Sequence, residues 1–183
     1  MSYAHKTILT PVGNLKLVAS DRGLAAILWE DDDPRRVRLG ATSEDAVHPV
    51  LLEAERQLRE YFGGQRKSFS LELDFAGTEF QKKVWHALLT IPYGETRSYG
   101  QIAEQIGNTK AVRAVGAANG RNPISIVAPC HRVVGSNGSL TGFAGGLHVK
   151  RHLLALEAGS EGTTPTLTRS PSSVAFENPE TRR

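Results

Sequence analysis

The chain holds one cysteine, Cys130, among 183 residues. No intramolecular disulfide can form, and no zinc site built on several cysteines, so the fold must be held by buried apolar surface. The composition permits this, with 39% hydrophobic and 22% charged residues. The length suits one ordinary domain or two small ones. The first twenty residues lack the long apolar core of a signal peptide, and no apolar run approaches membrane-spanning length. A cytoplasmic, monomeric protein is expected.

The cysteine sits in residues 124–134, ISIVAPCHRVV. An apolar run leads into it and Pro129 stiffens the entry. A proline fixes φ and removes a backbone donor, so the thiol is expected at a strand end or bend. A lone cysteine is ordinarily a small buried core residue. Here His131 follows directly, and a thiol reacts as its thiolate, which a nearby base promotes.

Residues 7–10, 15–19 and 24–29 read as strands, separated by the turns Pro11-Val12-Gly13-Asn14 and Ser20-Asp21-Arg22-Gly23. This predicts an antiparallel meander. Residues 31–45 are polar and read as irregular. Residues 49–62 carry helical spacing and end at Gly63-Gly64. Phe69, Leu71, Leu73 and Phe75 alternate with polar residues, a strand or extended connector.

The second half opens with Thr78-Glu79-Phe80-Gln81, a capping box, and Pro92 stops the helix it starts. Ser98-Tyr99-Gly100-Gln101 is a second capping box, with its helix ending at Gly107. After a turn at Asn108 and Thr109, residues 110–119 form a third helix. Helix, short glycine-containing turn, helix is the helix-turn-helix spacing, although helix pairs with short loops are common. The third helix is built of small residues around one long cation, Arg113. Residues 141–146 form a glycine-rich loop and 147–157 an amphipathic helix. Neither this loop nor the hairpin-like turn at Ser136-Asn137-Gly138 matches a phosphate-cradling motif, so no nucleotide cofactor is expected. Residues 159–183 are rich in Ser, Thr, Pro and Gly and read as a disordered tail.

The overall charge of +3 is unevenly placed. Residues 1–76 carry 10 Lys and Arg against 12 Asp and Glu, whereas residues 77–158 carry 9 against 4. The basic excess lies in the segment that holds Cys130, the sign expected for a nucleic-acid partner, although a solvated basic surface has the same signature.

SYGQIA (98–103), KAVRAVG (110–116), NPISIVAPCHRVVG (122–135) and TGFAGG (141–146), in this order, resemble the O6-alkylguanine-DNA alkyltransferases, also called methylated-DNA–protein-cysteine methyltransferases. The likeness is close over 78–157, loose over the N-terminal half, and absent from the tail. It implies an α/β (α+β) fold in two parts. Residues 1–76 would be a small α/β domain with an antiparallel sheet. Residues 77–158 would be a mainly helical domain with a helix-turn-helix and a short active-site strand. It also implies a single-turnover repair reaction. An alkyl group on guanine O6, or on thymine O4, moves irreversibly from double-stranded DNA to Cys130, with no cofactor and no metal.

Residue by residue, the resemblance makes His131 the base, acting through a water, and Glu157 the carboxylate that orients it. Asn122 would tie the active-site loop together. Tyr99 would contact the phosphate beside the target nucleotide. Arg113 would fill the space left by the extruded base, and Ala114 and Arg132 complete the DNA-binding set. Phe143, Ala144 and Gly145 would line the substrate pocket. Phe143 stands where many members carry tyrosine, and Ala144 where some carry serine, which leaves oxygen recognition to backbone N–H groups. Two other readings are a non-catalytic lesion-binding protein and a helix-turn-helix regulator. The first normally lacks the acceptor cysteine, and the second needs long base-reading side chains that residues 110–120 scarcely offer.

Overall fold

A computed structural model describes residues 2–159. The expected tail lies outside these residues except for Gly159. Three strands, β1 (Tyr3–Thr10), β2 (Gly13–Ser20) and β3 (Gly23–Trp29), form the expected meander. A fourth, β4 (Thr42–Glu44), pairs in parallel with β1, so the sheet order is β3-β2-β1-β4. This strand falls in the stretch read as irregular. It is three residues long and mostly exposed, so hydrophobic alternation could not betray it. Helix α1 (Pro49–Phe62) has Pro49 in its first turn and buries Leu51, Ala54, Leu58 and Tyr61. Residues 69–75 form no regular strand. They run as a connector along the edge of β3, where Leu24 donates to Glu72 O at 2.9 Å and Asp74 donates to Leu24 O at 2.8 Å.

Both capping boxes form as read. Thr78 and Gln81 exchange hydrogen bonds at the start of α2 (Glu79–Leu88), and Ser98 and Gln101 do so at α3 (Tyr99–Gln105). Helix α4 (Val112–Gly120) starts two residues later than expected and has no side-chain cap. The link from α3 to α4 is therefore longer than a three-residue turn, with Gly107 at φ 79° where the chain reverses. The indole of Trp85 on α2 donates to Ala118 O on α4 at 2.8 Å, which fixes the angle between these helices.

Strand β5 (Arg97–Ser98) pairs in parallel with β6 (Val133–Val134), the short strand after the cysteine. Helix α5 (Leu147–Glu157) closes the second half. The halves share one core, in which Ile27 of β3 donates to Pro123 O at 2.8 Å and Ile124 lies buried against it. No described helix is long and apolar enough to cross a membrane.

Candidate active site

Cys130 opens a single 3₁₀ turn, Cys130–Arg132, rather than ending a strand. The preceding loop is bound to itself. Asn122 donates from Nδ2 to Ala128 O at 2.7 Å and accepts from Ile124 N at 3.1 Å. Ile126 adopts φ 74°, a conformation that costs a β-branched residue about 1–3 kcal/mol. The tight turn around it is closed by Ala128 N to Ile124 O at 2.9 Å. This places a strained bend directly before the nucleophile.

Cys130 is 4% exposed. Burial pushes its thiol above the ordinary value, opposed by a hydrogen bond with Asn122, the charges of Arg36 and Lys150, and Ser125. Arg36 reaches in from the N-terminal half, donating to Asn122 O at 2.5 Å and to Asp32 at 2.6 Å. Lys150 on α5 is fully buried and donates to Val133 O at 2.6 Å and Thr141 O at 3.1 Å. The sequence reading missed both. What brings each of them to the site is a backbone carbonyl, Asn122 O for Arg36 and Val133 O for Lys150, which leaves no motif.

Behind the cysteine lies a buried charge network centred on Glu157. His131 Nε2 lies 2.8 Å from Glu157 Oε1. Arg132 donates to the same carboxylate from Nε at 2.9 Å and from Nη2 at 2.7 Å, and to Ile91 O at 2.6 Å. Tyr61 of α1 adds a 2.9 Å hydrogen bond. Burial alone would raise the carboxyl, but hydrogen bonds from His131 and Arg132 outweigh it and hold Glu157 at about 2. Burial keeps His131 below its ordinary value, against the pull of Glu157, so the ring is neutral near pH 7. With Glu157 ionised, Nε2 carries the proton it donates. Nδ1 then bears the lone pair, and it has no hydrogen-bond partner among the described residues.

The sequence-derived set therefore divides. Cys130, His131, Asn122 and Glu157 come together. Arg132, expected on the DNA-binding face, is a correction. It is 6% exposed, and three of its five N–H groups are turned inward to Glu157 and Ile91 O, so it sits in the buried network and not on an open face. Arg113 and Ala114 are exposed on α4 with Ala117 and Gly120, while Val115 and Ala118 face the core. Tyr99 shares a 2.9 Å hydrogen bond between its hydroxyl and Thr141 Oγ1, tying α3 to the glycine-rich loop. In that loop Phe143 meets the Trp29 ring edge-on at 5.4 Å, Ala144 is exposed, and a Cβ on Gly145 would lie 2.8 Å from the indole. Trp29 was not among the expected site residues, yet it is the floor on which the loop rests.

Comparison with known proteins accords with this geometry. Residues 4–75 match the family described as 6-O-methylguanine DNA methyltransferase, ribonuclease-like domain. Residues 79–159 match 6-O-methylguanine DNA methyltransferase, DNA binding domain. The methylated-DNA–protein-cysteine methyltransferase of Methanosarcina acetivorans is 65% identical over 148 residues, covering 81% of this chain and 94% of that protein. Its counterpart from Mycolicibacterium paratuberculosis is 49% identical over 163 residues, covering 89% and 97%. The crystal structure of Mycobacterium tuberculosis OGT in complex with DNA superposes with a TM-score of 0.78 at 46% identity, covering 87% of this chain and 94% of that one. With both halves matched and the cysteine, histidine and glutamate assembled in one buried site, the chain belongs to the 6-O-methylguanine DNA methyltransferase family.

Proposed function

We propose that this protein repairs DNA by moving an alkyl group from O6 of guanine to Sγ of Cys130. The observation that carries the reading is the Glu157–His131 pair beside the only thiol, with Nε2 held at 2.8 Å and Nδ1 left as the basic nitrogen. The proton of Cys130 passes to Nδ1 through a water, and Glu157 stabilises the imidazolium. The thiolate attacks the alkyl carbon. A C–S bond forms, the C–O bond to guanine breaks, and the proton returns to the leaving guanine. The product is a thioether, which has no acidic proton and is a poor leaving group. His131 does not regenerate the thiol, and each molecule acts once. The step needs no cofactor.

Guanine O6 is out of reach inside a duplex, so the nucleotide must be flipped out, at a cost of a few kcal/mol. The exposed side of α4 suits this. Ala114, Ala117 and Gly120 allow close approach to a groove, and Arg113 is long enough to occupy the vacated stack. Tyr99, in this reading, contacts the phosphate beside the flipped nucleotide, and Phe143, Ala144 and Gly145 form the pocket wall. Residues 1–76 and 77–158 are read as two domains packed on one shared core, a division supported by the two family matches. A cytoplasmic location is part of this reading, supported by the bacterial and archaeal source of the methyltransferases that the chain resembles.

Intact-protein mass after incubation with duplex DNA containing O6-methylguanine tests the proposal. One methyl group per molecule is expected, mapped to Cys130 and absent from Cys130→Ala. More than one turnover per molecule, or a label elsewhere, would overturn it.

A further inference from the structure

The basic excess read from the sequence lies in residues 77–158, yet the structure also places arginines of the acidic N-terminal half against the end of α4. A concavity of about 410 Å³ is lined by Asp33, Arg35, Arg36 and Arg38 from the loop after β3, and by Arg121 at the C-terminus of α4. Two of these cations are already neutralised. Arg36 is paired with Asp32, and Arg35 holds Asp33 through two hydrogen bonds of 3.1 and 3.0 Å. Arg38 and Arg121 are exposed and form no ion pair among the described residues, so the concavity carries about two uncompensated positive charges.

Its position gives these charges a use. Arg113 and Arg121 stand at opposite ends of the exposed side of α4, with Ala114, Ala117 and Gly120 between them. Eight residues of helix span about 12 Å. Phosphates follow one another every 3.4 Å along a strand axis, so that span is roughly three to four nucleotides. If Arg113 marks the vacated stack, Arg121 and Arg38 reach the backbone a few nucleotides away. We infer that Arg38 and Arg121 form a second phosphate-binding site, which grips the DNA backbone beyond the flipped nucleotide and brings the N-terminal half onto the duplex. This inference rests on the alkyl-transfer reading above.

The test uses the full chain carrying Arg38→Gln and Arg121→Gln together, with an unmodified duplex of about 15 base pairs as the binding probe. Each phosphate contact contributes about 0.9 to the slope of log affinity against log salt. The double variant is expected to lose close to 2 from that slope and to bind several-fold more weakly at low salt. Lysine at both positions should restore most of the slope. The rate with free O6-methylguanine base, which has no phosphate, should stay at the wild-type value. An unchanged slope overturns the second site, as does a fall in the free-base rate without a change in slope. Methyl uptake by wild-type protein is read in parallel. Its absence would overturn the alkyl-transfer reading itself, whereas normal uptake with an unchanged slope removes only the arginine site.

Discussion

Tyr61 and Glu157 lie 96 positions apart in the chain, and the phenol of one donates a 2.9 Å hydrogen bond to the carboxylate of the other. Tyr61 is fully buried on α1, so a helix of the N-terminal half helps to hold the carboxylate that orients His131. Tyr61→Phe keeps the packing and removes the donor. The variant is expected to lose about 1.5–3 kcal/mol of stability. Its methyl-transfer rate is expected to fall roughly five- to tenfold, or about 1–1.4 kcal/mol in barrier. Denaturant unfolding and single-turnover mass kinetics would measure the two. Wild-type values for both would show that the hydroxyl holds nothing.

The buried network also sets an acid limit. Glu157 is held at about 2, against an ordinary 4.5, so between those values the unfolded chain binds a proton that the folded one refuses. Stability present above pH 4.5 is therefore lost progressively as pH falls toward 2. His131, kept below its ordinary 6.5 by burial, acts in the same direction from higher pH. Urea midpoints should fall steadily from pH 7 to pH 3. Glu157→Gln should be less stable at pH 7 but flatter below pH 4.5. An acid limb of equal steepness in both proteins would remove Glu157 as its source.

Arg113→Ala should fold normally, because the side chain is exposed and makes no hydrogen bond among the described residues. Its repair of duplex DNA should be slower by at least tenfold, and the defect should shrink on free alkylguanine base, where nothing must be unstacked. Equal loss on both substrates would count against a role in extrusion.

Gly145 and Trp29 should be coupled. A methyl group at 145 would lie 2.8 Å from the indole, so Gly145→Ala is expected to cost about 1–3 kcal/mol and to displace the loop that carries Phe143. In a Trp29→Leu background the same change should cost much less. A double-mutant cycle by chemical unfolding would read the difference. Additive effects would mean that the loop does not rest on the indole.

The legibility of this chain followed the distance over which each interaction acts. The capping boxes at Thr78 and Ser98 span three residues, and both formed as read. Helix α1, bounded by Pro49 and Gly63, was found at both ends. The start of α4 was misplaced because Ala111 offers no capping side chain to mark it. Cys130 and His131 stood out as a lone thiol beside an imidazole, but Glu157 was legible only through the family resemblance, since nothing in spacing says that position 157 meets position 131. Arg132 was placed with the DNA-binding set, and only the fold reveals the carboxylate it pairs with. Arg36, Tyr61, Trp29 and Lys150 were invisible for the same reason. Their partners lie across the join between the halves or on backbone carbonyls.

The burial of Cys130 has a meaning for storage. A molecule that reacts once is a reagent, and its value to the cell is the number of unspent copies. An exposed thiolate would be consumed by stray oxidants and electrophiles before any lesion arrived. At 4% exposure, and with burial holding the thiol in its protonated form, Cys130 is kept latent. Iodoacetamide should therefore label the native protein at pH 7.5 at least tenfold more slowly than the unfolded chain. The same enclosure that makes the thiolate costly to form gives the idle protein its shelf life.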